Sequence, residues 1–128
     1  MTGKLPLRRA FAAAVAIVAL VPAGIAWSQS KPKKLSANEI RAQIIGNVLT
    51  DGIHWRRHFR WNGTLASVDM GKSSVGRWKI QGNQLCFAVQ AGEDFDCYEI
   101  LASGKEVHLH VEDTGLDLEA TIKKPGSR

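Results

Sequence analysis

From residue 54 to residue 122 the chain alternates apolar and polar side chains in short runs, and turn-forming residues separate the runs. A period of two places the apolar side chains of a strand on one face, which is typical of half-buried β-strands. Among the separators are Asn62-Gly63, Gly82-Asn83 and Ser103-Gly104, which suit tight hairpins. The pattern predicts a mainly β fold, a small antiparallel meander or curled barrel of six to seven strands. A closed barrel and an open curled sheet both fit it.

One short N-terminal helix is expected before the strands. Ser36 and Glu39 have the spacing of a capping box, in which each side chain accepts a hydrogen bond from the other residue's backbone N–H. Three apolar residues then follow at four-residue spacing: Ile40, Ile44 and Val48. Gly46 and Asn47 weaken the last turn, so the helix is short and the period changes to two after it.

The two cysteines, Cys86 and Cys97, are the only ones in the chain. An even count of cysteines favours a disulfide if the protein is exported. If Ala91-Gly92 is a two-residue hairpin loop, counting back along both strands places Cys86 directly opposite Cys97. The bridge would then lie on the outer surface, away from Leu85 and Phe87. The Cys-x-x-Cys spacing of redox centres is absent, so we interpret the pair as a structural disulfide rather than a redox-active pair.

The first 28 residues have the order of a secretory signal peptide. A positively charged head precedes an uninterrupted apolar run at 10–21, and small residues allow cleavage near Ser28. Twelve residues span about 18 Å as a helix, short of the roughly 30 Å of a hydrocarbon core. The sequence therefore favours export to the periplasm with cleavage over an uncleaved anchor.

Cleavage would also change the charge. Residues 1–28 contain three of the 17 Lys and Arg residues and none of the 12 Asp and Glu residues, so the net charge falls from +5 to +2 without them. An excess this small does not indicate a nucleic-acid-binding protein. The expected organisation is a signal peptide at 1–28, a linker at 29–35, a single small β domain at 36–124 and a tail at 125–128.

Several short motifs occur in a fixed order: Glu39-Ile40-Arg41, Gly46-Asn47-Val48-Leu49, Gly76-Arg77-Trp78, Leu85-Cys86 and Cys97-Tyr98. This order resembles that of a group of small exported proteins of Gram-negative bacteria with a Gly-Asn-x-Leu step, a Gly-x-Trp strand and a Leu-Cys/Cys-Tyr strand pair. The resemblance covers about residues 36–102. It implies a small periplasmic β domain and supplies no catalytic residue.

A weak metal-site pattern lies near the C-terminus. His108 and His110 project from one face of a predicted strand, and Glu112 is next in that row. Such a row could ligate zinc or copper. The alternation of Val107, Leu109 and Val111 explains the same residues as the polar side of a half-buried strand, so both interpretations stay open.

A second candidate site mixes cations with aromatic rings over residues 54–61. Arg56, His58 and Arg60 share one face of the predicted strand, and such a surface could bind anionic polymers such as acidic glycans, lipid phosphates or nucleic acid. Alternation also explains these residues as solvent-facing, with three aromatic side chains packed inward: Trp55, Phe59 and Trp61. Arg57, on the inner face, fits that explanation only if it lies at a barrel rim or pairs with an acid.

No catalytic signature accompanies these candidates. Glu93, Asp94 and Asp96 lack the ligand spacing of a calcium loop, and the sequence contains no Gly-x-Ser-x-Gly elbow, P-loop or dinucleotide fingerprint. We expect a non-enzymatic, monomeric binding module of the cell envelope, without a cofactor, whose partner is an envelope component or a protein. We expect no nucleic-acid partner, and we expect membrane contact only through the signal peptide. A metal- or small-ligand-binding barrel using His108 and His110 is the alternative, and a hydrolytic enzyme comes third.

Overall fold

The computed structural model describes residues 16–17 and 31–126. The predicted signal peptide lies outside the described residues except at positions 16–17, as do the last two residues of the predicted tail. The described part of the chain contains no helix with the length and apolarity needed to cross a membrane. Its elements are β1 Lys33–Lys34, α1 Ala37–Gln43, β2 Val48–Thr50, β3 Trp55–Phe59, β4 Thr64–Asp69, β5 Lys72–Gln81, β6 Gln84–Ala88, β7 Asp96–Ser103, β8 Glu106–Val111 and β9 Leu116–Lys123.

The sheet closes on itself. Strands β2 to β9 each pair antiparallel with the next one along the chain, and β9 returns to pair with β2. The fold is therefore a closed eight-stranded up-and-down barrel with β1 as an additional strand. The predicted class and antiparallel meander are confirmed, whereas the expected six to seven strands were too few. Strand β2 was missed because its three residues, Val48–Thr50, follow directly on the helical pattern and include Val48, which the sequence placed on the helix.

The short strand β1 comes from the segment that the sequence assigned to a linker. Lys33 and Lys34 pair with Ala102 and Leu101 of β7. Leu35 continues this contact, since its N–H donates to the Ile100 carbonyl at 2.8 Å, and its side chain is buried. The domain thus begins before residue 36.

Helix α1 closes one end of the barrel. The capping box is confirmed: Glu39 N–H donates to Ser36 Oγ at 3.2 Å, and Ser36 N–H donates to Glu39 Oε1 at 3.1 Å. Asn83, in the turn between β5 and β6, accepts a hydrogen bond from Ala37 N–H through its side-chain oxygen at 3.0 Å. Ile40 on the helix and Ile44 directly after it are both buried. We call this the plugged end and the opposite one the open end.

The interior is filled by inward-facing side chains of seven of the eight barrel strands, together with the helix and the residues that flank it, while Trp78 and Ile80 of β5 are partly buried and pack against them. Phe59, Leu65, Leu85 and Ile100 are fully buried there. The rest of this buried core consists of Leu35, Ile40, Ile44, Ile45, Leu49, Phe87, Tyr98, Ala102, Val107, Leu109 and Ala120. Because these residues occupy alternate positions along their strands, the period-two pattern does correspond to inside and outside.

The disulfide register is as predicted. Cys86 lies opposite Cys97 and the two form a disulfide bond. Residues 89–95 connect the two strands as an irregular loop rather than a two-residue hairpin. Although Cys86 points away from the core face, it is fully buried rather than at the outer surface. Lys79 lies opposite it, and the Lys79 ammonium group sits 4.7 Å from the centre of the Phe95 ring on this side.

The turn after β3 differs from the predicted type I′ hairpin. Gly63 N–H donates to the Arg60 carbonyl at 3.1 Å, and Gly63 has a φ of +89° whereas Asn62 does not have a positive φ. This is a turn closed by a left-handed glycine, which adds one residue relative to a two-residue loop. The pairing is therefore Phe59 with Leu65.

Trp61 lies in this turn and not in the barrel interior, which corrects the prediction that it packs inward. It is 67% exposed. Its ring lies against Gly46, where a Cβ atom would come within 2.5 Å of the indole Nε1, and Gly46 has a φ of +87°. Gly46 is thus required both by its backbone conformation and by the indole ring.

Gly76 on β5 leaves room for the end of the neighbouring strand β6 to pass over it. A Cβ atom there would collide with the carbonyl oxygen of Ala88. Just beyond, Ser74 Oγ donates to the Val89 carbonyl at 3.1 Å. The end of β6 therefore lies over Gly76, and Val89 lines the open end of the barrel.

Candidate functional site

The outward-facing side of β3 carries the predicted cationic residues. Arg56 and His58 alternate with Trp55, Arg57 and Phe59, and Phe59 is fully buried. Arg60 follows directly after the strand, with its backbone held from two sides. Its N–H donates to the Thr64 carbonyl at 3.0 Å, and its carbonyl accepts from Trp78 Nε1 at 2.7 Å.

These three side chains line one groove on the outer face of β3, β4 and β5, with a volume of about 350 Å³. We call it the basic groove. Its other lining residues are Val48, Ala66, Ser67, Val68, Ser73, Ser74, Val75, Pro125 and Gly126. The structure therefore brings Arg56, His58 and Arg60 together, as the alternation predicted.

The floor of the basic groove is apolar and partly exposed. His58 lies opposite Ala66, and Ala66 lies opposite Val75. In the neighbouring row, Arg56 lies opposite Val68. Val68 and Val75 are 37% and 56% exposed, so a molecule in the groove would meet cations and apolar side chains together. Sequence reasoning missed this floor because it depends on which residues of β4 lie opposite β3 and which residues of β5 lie opposite β4.

The electrostatics of the groove favour an anion. Burial, and then the positive charges of Arg60 and Arg56, lower the pKa of His58 below its ordinary value of 6.5. His58 is therefore mostly neutral at neutral pH, and an anion between the two arginines would remove part of the repulsion that keeps it so. On the far side of the barrel the outer faces of β7 to β9 carry the acidic residues Glu99, Glu106, Asp117 and Glu119.

The weak metal pattern is not assembled into a ligand set. His108 and His110 lie on the outer face of β8, and Glu112 lies exposed beyond the strand's end. The near neighbour of His108 is Asp117 on β9, with 3.3 Å between Nδ1 and Oδ2. Within residues 16–17 and 31–126, no group of three or more His, Cys, Asp or Glu side chains is placed to hold a metal ion. His54 lies apart, its ring bonded to Asp51 at 2.8 Å.

Arg57 lies inside the barrel near the open end and has an acidic partner. Its Nη2 donates to Asp69 Oδ1 at 2.9 Å, and its guanidinium lies 4.5 Å from the centre of the Trp55 ring. Either a position at the barrel rim or an acidic partner was expected of an inward arginine, and Arg57 has both.

Comparison of the chain with protein-family models, with curated proteins and with solved structures finds no match. The arrangement of these side chains is therefore the basis for any functional conclusion. A basic groove with an apolar floor can bind an amphiphilic anion.

Proposed function

We propose that the protein is a non-enzymatic binding module of the bacterial cell envelope, and that its basic groove holds the phosphate groups of an anionic lipid. The observation that carries this proposal is the grouping of Arg56, His58 and Arg60 beside the exposed Val68 and Val75. Residues 1–28, with the order of a signal peptide, and the disulfide support export, because disulfides persist in oxidising compartments.

The exposed apolar residues favour a lipid over a soluble polyanion. Ile53 and Met70 are 83% and 79% exposed, and Ile53 shares a second, adjacent hollow with Arg56, Val68 and Lys123. Basic side chains beside exposed apolar ones are typical of surfaces that bind anionic membranes, where the cations meet phosphates and the apolar groups enter the interface. This proposal extends membrane contact beyond the signal peptide.

The test is sedimentation with vesicles of phosphatidylglycerol and phosphatidylcholine. The protein is expressed with its own leader and purified from the periplasmic fraction, and intact mass records whether the leader has been removed. We expect binding to vesicles rich in phosphatidylglycerol, little binding to pure phosphatidylcholine, and at least a tenfold loss of affinity in the Arg56→Glu/Arg60→Glu variant, since each basic residue contributes about 1 kcal/mol near an anionic surface.

The matched control is Lys31→Glu/Lys105→Glu, which changes the net charge equally at exposed positions outside the basic groove. The control should lose much less affinity than the groove variant. Equal losses would show that net charge alone drives binding and would contradict the proposal. Preferential binding to a soluble acidic polysaccharide that contains no lipid would also contradict it.

A further inference from the structure

The open end of the barrel contains a cavity of about 110 Å³, lined by none of the residues of the basic groove. Its walls are aromatic and aliphatic. Phe87 and Tyr98 stack with their ring centres 5.0 Å apart, and three aliphatic side chains complete the walls: Val89, Leu109 and Leu118. Aromatic and aliphatic walls with a few charged groups beside them are the residue types of a small-molecule site, and the volume limits this one to a small ligand.

The positive charge in this cavity already has its counter-ion. Arg57 donates to Asp69 at 2.9 Å and lies over the Trp55 ring. The guanidinium therefore adds little net charge to the cavity, and its position shows that the aromatic wall accommodates a cation.

Two carboxylates at the rim have no such partner. Glu93 and Asp96 line the cavity, and neither forms an ion pair within the described part of the chain. Tyr98 lines the same cavity. Burial first, and then the negative charge of Asp96, raise the pKa of Tyr98, while Arg57 opposes the rise. The rim is therefore negative, and it lies beside a tyrosine that stays protonated at neutral pH.

We infer that the open end binds a primary ammonium group on a short aliphatic chain. The ammonium would lie between the Glu93 and Asp96 carboxylates, and its methylene groups would contact Phe87, Leu109 and Leu118. A cavity of about 150 Å³ holds benzene, so the 110 Å³ here takes about four or five heavy atoms. A longer ligand would extend through the open rim into solvent. This inference does not depend on the proposed lipid contact.

The test uses three probes of the same length with different charge: n-butylammonium, n-butanol and n-butyrate. Binding to the purified protein is followed by NMR shift changes of Tyr98 and Leu109. We expect saturable binding of n-butylammonium, at least tenfold tighter than that of n-butanol, and no binding of n-butyrate. A diamine and a blocked lysine peptide then distinguish a polyamine end from a protein side chain as the source of the ammonium group.

The variants Asp96→Asn and Glu93→Gln keep side-chain size and remove one charge each, and each should weaken n-butylammonium binding at least fivefold. Asp94→Asn, on the same loop but not in the cavity lining, is the matched control and should bind as the unmodified protein does. Equal binding of n-butanol and n-butylammonium, no binding of either, or an equal loss in the Asp94→Asn control would overturn the inference. Vesicle binding is measured separately and has its own variants, so failure of one proposal is distinguishable from failure of the other.

Discussion

The Arg57 guanidinium donates from inside the barrel to the Asp69 carboxylate on the neighbouring strand, with 2.9 Å between Nη2 and Oδ1. The arginine side chain is 15% exposed and the aspartate 39% exposed. The pair is incompletely satisfied, since Arg57 Nε is buried without a hydrogen-bond partner among the described residues, as is Ser67 Oγ, opposite Arg57 on β4. A partly buried, imperfectly bonded pair contributes less to stability than its short distance suggests.

Removing both members of this pair should therefore cost less than the sum of the two single removals. Asp69→Leu leaves the Arg57 charge inside the barrel without its partner, and we expect a loss of about 2 kcal/mol in the free energy of unfolding. The double variant Arg57→Leu/Asp69→Leu should be closer to the unmodified protein than the sum of the single variants predicts. Urea denaturation of all four proteins measures the coupling. Additive effects within about 0.4 kcal/mol would contradict the account.

Gly76→Ala should destabilise the barrel, although glycine to alanine in a strand normally stabilises by about 0.5–1 kcal/mol. The new Cβ would collide with the Ala88 carbonyl, so the end of β6 would have to move, and we expect a loss of about 2 kcal/mol or more. Ser73→Ala, exposed on the same strand, is the control and should change the free energy of unfolding by less than about 0.5 kcal/mol. A stabilised Gly76→Ala variant would show that β6 does not cross there.

The disulfide should make a large contribution for a domain of this size. Cys86 and Cys97 are 11 residues apart, and closing a loop of this length contributes about 3 kcal/mol by the chain-entropy estimate. We expect the Cys86→Ala/Cys97→Ala variant to lose about that much, measured by urea denaturation under non-reducing conditions. Adding a reductant to the unmodified protein should produce a comparable loss. Unchanged stability in both experiments would contradict a structural role for the bridge.

The pH dependence of stability should change when His58 is replaced. In the unfolded chain its pKa returns to about 6.5, whereas in the folded protein burial and the charges of Arg60 and Arg56 keep it lower. As the pH falls through 6.5, the unfolded chain takes up a proton that the folded protein does not, so the free energy of unfolding decreases. The neighbours across the sheet, Val48 and Ala66, carry no charge to offset this.

His58→Gln removes this titration. The free energy of unfolding of this variant, minus that of the unmodified protein, should therefore increase as the pH falls from 7.5 to 5.5. Urea denaturation at each pH measures this difference. The other three histidines are present in both proteins, so the difference isolates His58. Parallel pH profiles would show that the folded environment does not disfavour the charged form.

Much of the local structure follows from the sequence. The capping box of Ser36 and Glu39 depends on neighbours in sequence, so a short pattern is enough to predict it. The register of Cys86 with Cys97 is also as predicted, although the loop between the two strands is longer than the two-residue hairpin from which the register was counted. Closure of the barrel is different. It requires β2 to pair with β9, for example Val48 with Lys123, and no local pattern records a contact between such distant parts of the chain.

The partner of Arg57 shows how a single turn limits prediction. A type I′ turn at Asn62-Gly63 would place Trp61 opposite Thr64, and hence Arg57 opposite Val68. The observed turn contains one more residue and places Arg57 opposite Ser67 and Trp55 opposite Asp69. A shift of one residue moves every side chain to the other face of a strand, so Asp69 could be recognised as an inward acid only once the turn was known.

The basic groove is tested most directly by NMR titration of the His58 ring in the unmodified protein, alone and with short-chain phosphatidylglycerol or phosphatidylcholine. We expect a pKa below 6.5 in the free protein, because of burial and the two flanking arginines. Phosphatidylglycerol should raise that pKa, because its phosphate would neutralise the repulsion from Arg56 and Arg60, and phosphatidylcholine should leave it unchanged. An unchanged His58 pKa at saturating phosphatidylglycerol, or an equal rise with both lipids, would contradict the assignment of this groove as an anion site.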